Sequence, residues 1–137
     1  TCACEHTLVG HTGSVTCIGA HGWRLLSGGG YNRGADDDEV LSVDASLRLW
    51  DLRKKRAMYA VPAHSALISH VKFEPAHGRF LLSSSYDNKV KLWDTRDYEC
   101  LKTMERHEGR VMGADVSDDG MYFATCAMDR TWKLWGS

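Results

Sequence analysis

His64, Ser83 and Asp87 are the residue types of a hydrolase triad, in which a histidine takes the proton of a serine hydroxyl and a carboxylate orients the ring. The same set recurs as His11, Ser27 and Asp44, and again as His107, Thr125 and Asp129. A tryptophan, Trp50, Trp93 or Trp135, stands six residues after the aspartate of each set. Three copies argue against catalysis, because an enzyme needs one activated nucleophile beside one oxyanion hole. The fixed spacing marks a repeat protein, and no catalytic residue is assigned.

Other stretches with chemical potential fail simple tests. Gly28-Gly29-Gly30-Tyr31-Asn32-Arg33-Gly34 has Arg33 where G-x-G-x-x-G needs glycine, and Ala35 where a phosphate loop ending at Gly34 needs lysine. Asp36-Asp37-Asp38-Glu39 lacks the spaced oxygen ligands and turn glycine of a calcium loop and reads as a solvated acidic run. Cys2, Cys4 and His6 fall on one side of an alternating stretch, but no second cluster completes a zinc site. No metal and no cofactor are expected. Arg53-Lys54-Lys55-Arg56 is the only basic cluster, a solvated turn that would support weak, salt-sensitive RNA contact.

Composition narrows the class further. A chain of 137 residues, 43% of them hydrophobic, has the size and content for a core. The formal charge of −1 gives no electrostatic reason to expect nucleic acid or acidic lipid as the main partner. No secretory leader pattern and no run of 18 apolar residues occurs, so a soluble, non-secreted protein with no membrane partner is expected. Cys2, Cys4, Cys17, Cys100 and Cys126 are odd in number and scattered, and read as reduced strand residues rather than a disulfide framework.

The repeated sets require strands to hold them. Ser83 to Asp94 reads as a strand, a polar turn carrying Asp87 and a strand ending in Trp93, with counterparts around Asp44 to Trp50 and Asp129 to Trp135. Thr1 to Gly10 alternates as a strand requires, and its ending at Gly10-His11 is matched by Arg56 to His64 and Cys100 to His107. After each histidine comes an apolar pattern: Val15, Cys17, Ile18 and Ala20; Ile68, Val71 and Phe73; Val111, Ala114 and Val116. Turns at His21-Gly22, Glu74 to Gly78 and Ser117 to Gly120 follow. Then come strands at Trp23 to Ser27, Arg79 to Ser83 and Met121 to Thr125, and beyond the aspartates at Ser46 to Trp50, Lys89 to Trp93 and Thr131 to Trp135. Four short strands per period and no helical run predict an all-β protein of four-stranded antiparallel units.

The histidine-to-histidine periods are 53 and 43 residues. The longer one contains 13 extra residues within Gly28 to Val43, since Ser27 stands 17 before Asp44 while Ser83 and Thr125 stand four before their aspartates. This insertion is expected to be a mobile loop. The units then run over 11–63 with the inserted loop 28–43, over 64–106, and over 107–137 without its outer strand, with 1–10 the outer strand of a preceding unit.

A four-stranded unit of ~40–45 residues ending in Trp-Asp resembles the WD40 repeat family of β-propeller blades. The Gly-His or its Ala-His and Arg-His variants, the turn aspartate and the Trp-Asp fall in register over essentially the whole chain, with Gly136 replacing the final aspartate. The resemblance implies a non-enzymatic protein and makes His11, Ser27, Asp44 and Trp50, with their two counterpart sets, hydrogen-bonded tetrads that pin strands within each blade. Residues between these fixed points would face partners. Because strands alternate direction, Tyr86, Asn88, Met128, Arg130 and the insertion would share one rim and Arg53 and Arg96 the other, with Glu108 a further candidate for partner contact.

Within that family, His107-Glu108-Gly109-Arg110-Val111-Met112-Gly113, Ala124-Thr125-Cys126 and Asp129 to Trp135 closely resemble the last repeat of the WD40 proteins of the U4/U6 small nuclear ribonucleoprotein, the pre-mRNA processing factor four family. That resemblance implies the last three blades of a seven-bladed propeller, a nuclear assembly platform in the U4/U6.U5 particle. Its partners would be other spliceosomal proteins of the U4/U6 particle, with snRNA contacted indirectly and no small-molecule substrate. Trp50-Asp51-Leu52-Arg53 and Trp93-Asp94-Thr95-Arg96 also resemble the W-D-x-R motif of cullin-RING ubiquitin ligase substrate receptors, the alternative function. Thr1 begins inside a strand-like pattern, so a piece of a larger protein is expected. Because propellers close with ~4–8 blades, the isolated chain is expected to be oligomeric, for instance as two chains in a six-bladed ring.

Overall fold

Every element of the computed structural model is a strand, and the description covers residues 2–33 and 40–136, with backbone alone at 33 and 40–42. The first sheet joins β1 (Val15–His21), β2 (Arg24–Gly29), β5 (Ser46–Asp51) and β6 (Arg56–Pro62) in that order, each pair antiparallel. Between β2 and β5 a separate hairpin pairs β3 (Tyr31–Arg33) with β4 (Val40–Val43). The second sheet runs β7 (Ile68–Phe73), β8 (Phe80–Ser85), β9 (Val90–Asp94) and β10 (Cys100–Met104). The third holds β11 (Val111–Val116), β12 (Tyr122–Ala127) and β13 (Trp132–Gly136). The all-β class and the four-stranded antiparallel blade are as the spacing predicts.

Two expectations are corrected. Gly28 and Gly29 belong to β2, and the flanks of the insertion, Tyr31–Arg33 and Val40–Val43, pair as a hairpin rather than forming loop throughout. β-branched Val40 and Val43 opposite Tyr31 and Arg33 supply the pairing tendency that the glycines conceal. The acidic run Asp36 to Glu39 lies outside the described residues. Residues 2–10 form no strand, although they alternate. A strand exists only against a neighbour's backbone, and no described strand pairs with them, although Gly10 lies against the Trp50 and Arg48 side chains; Cys2 and Cys4 are therefore not strand cysteines.

A shared irregularity links the blades. Each first strand carries a bulge at the same place, between Val15 and Cys17, Ile68 and His70, and Val111 and Gly113. The bulged residue turns its hydroxyl sideways, so that Thr16 Oγ1 donates to the carbonyl of Ile68 at 2.5 Å and Ser69 Oγ to that of Val111 at 2.6 Å. The first strands therefore stand side by side at the inner edge of the stack. Gly22, Gly78 and Gly120 sit at φ of +61°, +61° and +74° in the turns that leave those strands, a left-handed conformation that costs a side chain energy.

Alternation then sends one face of each sheet to each neighbour. Leu26, Leu47 and Leu49 of the first blade pack on Ile68, Val71, Phe73 and Leu81 of the second. On its opposite face the second blade buries Leu82 and Val90 with Val111, Val116 and Phe123 of the third. At about 25 cal/mol per Å² of apolar surface removed from water, these two layers supply the main cohesion between blades.

Candidate functional site

The three polar sets have one geometry. In the first blade His11 Nδ1 lies 2.8 Å from Asp44 Oδ2, His11 Nε2 lies 2.6 Å from Ser27 Oγ, and Trp50 Nε1 donates to the same hydroxyl at 2.8 Å. In the second, the corresponding distances among His64, Asp87, Ser83 and Trp93 are 2.9, 2.7 and 2.9 Å. In the third, His107, Asp129, Thr125 and Trp135 give 3.0, 2.7 and 3.0 Å. An indole only donates. The hydroxyl therefore accepts from tryptophan and gives its own proton to Nε2, which directs Nδ1–H to the carboxylate.

That order of donors has a chemical consequence. Each hydroxyl is enclosed, Ser27 being 5%, Ser83 0% and Thr125 2% exposed, and each is already committed to two partners. A nucleophile must present a lone pair to substrate; here tryptophan takes one lone pair of each hydroxyl and burial encloses the other. The carboxylates are equally occupied. Asp44, Asp87 and Asp129 accept from the backbone amide after their histidine, that of Thr12, Ser65 or Glu108, and from the amide two residues ahead, that of Ser46, Lys89 or Thr131. Burial pushes the Asp44 carboxyl up, but bonds from the Ser46 side chain, His11, and the Ser46 and Gly13 amides outweigh it and hold it at about 2. At Asp87 burial is again overcome, by His64 and the amides of Lys89 and Ser65, to about 2. The Thr131 hydroxyl is the main cause that lowers Asp129, opposed by burial and assisted by Glu108 and His107.

The rims lie at opposite ends of the strands. On one, Tyr86 is half-buried, and the guanidinium of Arg110 lies 5.1 Å over its ring. Met128 and Arg130 are exposed in the matching turn of the third blade, with Glu108 exposed nearby in the segment that follows His107. Asn88 and Arg130 occupy the same turn position at φ of +72° and +67°. Equivalent backbone bonds, Tyr86 N to Leu67 O and Met128 N to Arg110 O, tie each turn to the start of its own first strand.

On the other rim Arg53 and Arg96 repeat each other. The guanidinium of each bonds both oxygens of the aspartate two residues back, Asp51 through Nε at 3.3 Å and Nη2 at 3.1 Å, and Asp94 through Nε at 3.2 Å and Nη2 at 2.7 Å. The same carboxylates accept from the Arg53 and Arg96 backbone amides at 2.8 Å. Trp-Asp-x-Arg is thus a turn device that leaves an exposed guanidinium. Arg53 also covers the Trp23 ring at 4.0 Å. Arg110 and Trp23 escape sequence reasoning, since their partners are set by tertiary approach. Among the described residues no three His, Cys, Asp or Glu side chains are grouped as metal ligands would be.

The description "WD domain, G-beta repeat" belongs to the family model that matches residues 55–94 and 98–136, more than half of the chain. The chain belongs to the WD40 repeat family. Over 64 residues it is 44% identical to the U4/U6 small nuclear ribonucleoprotein PRP4-like protein of Arabidopsis thaliana, a match covering 47% of this chain and 12% of that protein. The mouse U4/U6 small nuclear ribonucleoprotein Prp4 is 47% identical over 62 residues, 45% of this chain and 12% of its own length. Another relative, the nuclear distribution protein PAC1 of Arthroderma benhamiae, is 30% identical over 142 aligned positions, covering 96% of this chain and 28% of that protein. The chain therefore matches 12–28% of the length of these relatives.

Proposed function

We propose that this WD40 segment is part of a non-enzymatic, nuclear protein-interaction scaffold in pre-mRNA splicing, within the U4/U6 and U4/U6.U5 small nuclear ribonucleoproteins. The observation that carries this reading is the identity of 44–47% over 62–64 residues to two U4/U6 proteins, against 30% over 142 positions to the nuclear distribution protein. The occupied tetrads support the non-enzymatic part, because their buried hydroxyls are bonded to histidine and tryptophan and their carboxylates to histidine and backbone amides. Partner contacts fall to the rim residues, with Tyr86, Asn88, Glu108, Met128 and Arg130 at one end and Arg53 and Arg96 at the other. Affinity capture of the protein from nuclear extract tests it. Recovery of U4 and U6 RNAs with their proteins is expected. Their absence, or recovery of a cullin adaptor that Arg53→Ala with Arg96→Ala abolishes, would replace the splicing reading with the ligase-receptor one.

A further inference from the structure

On the Arg53 and Arg96 rim, the junction of the first two blades opens into two adjoining clefts. One, of about 500 Å³, is lined by Arg24, His77, Arg79, Asp94 and Arg96. The second, of about 490 Å³, shares Arg24 and Arg96 and continues over Trp23, Leu49, Met58 and Tyr98. A basic recess therefore runs into an aromatic and aliphatic one.

Two of the three arginines are held in place by the fold. Arg24 lies 5.1 Å over the Phe73 ring and donates from Nη2 to the carbonyl of Gly78 at 3.0 Å. A Cβ on Gly78 would stand 2.4 Å from that nitrogen, so the glycine is what admits the guanidinium. Arg96 is fixed by its bonds to Asp94. Arg79 uses its backbone amide on Glu74 and directs its side chain to no acceptor among the described residues. The nearby carboxylates are already engaged, Asp94 by Arg96, Glu74 by the amides of Ala76, His77 and Arg79, and Asp97, whose charge also acts on Arg96, by the amide of Glu99. Three arginines against one aspartate leave the lining with an excess of two positive charges, in a chain whose formal charge is −1. Positive walls of low dielectric concentrate anions.

We infer that this double cleft binds a peptide segment carrying an anionic side chain, carboxylate or phosphate, beside an apolar one. Arg79, Arg24 and Arg96 take the anion, and Trp23, Met58 and Tyr98 take the apolar neighbour. An RNA strand fits less well. Its bases need open aromatic faces on which to stack, and one face of Trp23 is covered by Arg53. The inference rests on the interaction-scaffold reading and adds the chemistry of one partner.

The test is fluorescence anisotropy on the 137-residue chain with three labelled peptides of pattern Leu-x-Z-x-Leu, where Z is phosphoserine, glutamate or serine. Phosphoserine or glutamate is expected to bind about tenfold or more tighter than serine, the better of the two identifying the anion. Arg79→Glu should cost about tenfold, and Arg56→Glu, an exposed charge outside both clefts, should change little. Equal binding of all three peptides overturns the inference, as does unchanged binding in Arg79→Glu. Tighter, Arg79-dependent binding of a single-stranded RNA overturns it in favour of nucleic acid. Peptide binding without recovery of U4 and U6 RNAs would leave the cleft standing and remove only the splicing reading.

Discussion

At the scale of single residues the tetrad hydroxyl is the sensitive point. Ser83→Ala strands two groups in a buried setting, Trp93 Nε1 and His64 Nε2, because the methyl can neither accept nor donate. The expected loss is about 1–3 kcal/mol in urea unfolding, whereas Ser65→Ala, whose backbone amide alone contacts Asp87, should stay within about 0.5 kcal/mol. The carboxylates set the pH response. Asp44 and Asp87 are lowered from 3.8 to about 2 on folding. A depressed carboxyl gives stability that is complete above its unfolded value and disappears as pH falls through its folded one. Urea midpoints should thus be flat above about pH 5 and fall steeply between about pH 4 and 2. A response that begins near neutrality would contradict this. A third residue-scale case is Arg130, at φ +67° where the second blade has Asn88 at +72°. Asparagine tolerates this region better, so Arg130→Asn should raise stability by a few tenths of a kcal/mol up to about 1.

At the scale of elements, the strands themselves were legible because three copies of one pattern could be laid over each other. The third strand of each blade, β5, β9 and β13, is read almost to its bounds from the aspartate and the tryptophan six residues later. Two segments were less legible, for opposite reasons. β3 and β4 occur in only one blade, so no second copy reveals their pairing through the glycines. Residues 2–10 match the histidine-ending pattern, but alternation states which face a residue would take and is silent on whether a neighbour exists. The bulges were invisible too, since one extra residue in a strand leaves composition unchanged. They nevertheless carry a measurable load. Ser69→Ala removes the bond to the Val111 carbonyl together with the one to the buried Ser84 hydroxyl, and should cost about 0.5–1.5 kcal/mol, of which Ser84→Ala measures the part inside the blade. Met112 stands at the same bulge in the third blade, where it is exposed and bridges to no described strand. Met112→Ser should therefore fall within about 0.5 kcal/mol of the parent, and an equal cost at both sites would refute the bridging role.

At the scale of the molecule, the two terminal faces are the same surfaces that are buried between blades. Leu82 and Val90 of the second blade are 0% and 1% exposed against the third, while the third blade's Tyr122, Trp132 and Leu134, on the corresponding face, are 52%, 70% and 62% exposed. At the other end Val15 and Ile18 are 55% and 63% exposed, whereas their counterparts Ile68 and Val71 are 0% and 2%. One end thus presents the face that receives a first strand, and the other presents a first strand. Such surfaces are complementary head to tail, and β13 adds an edge with no fourth strand among the described residues. In the longer relatives further blades have room to cover them; the 137-residue chain by itself has only its own copies. Light scattering at micromolar concentration should show a mass above that of one chain that falls on dilution. Trp132→Lys with Leu134→Lys should lower it, since two charges on the receiving face must be desolvated for docking, while Ile18→Glu should do the same from the opposite end. Because each variant damages only one of the two complementary faces, mixing them should restore one contact and yield dimers that neither forms alone. A stable, cooperatively unfolding monomer, or variants that do not complement, would show that the end faces do not recognise each other.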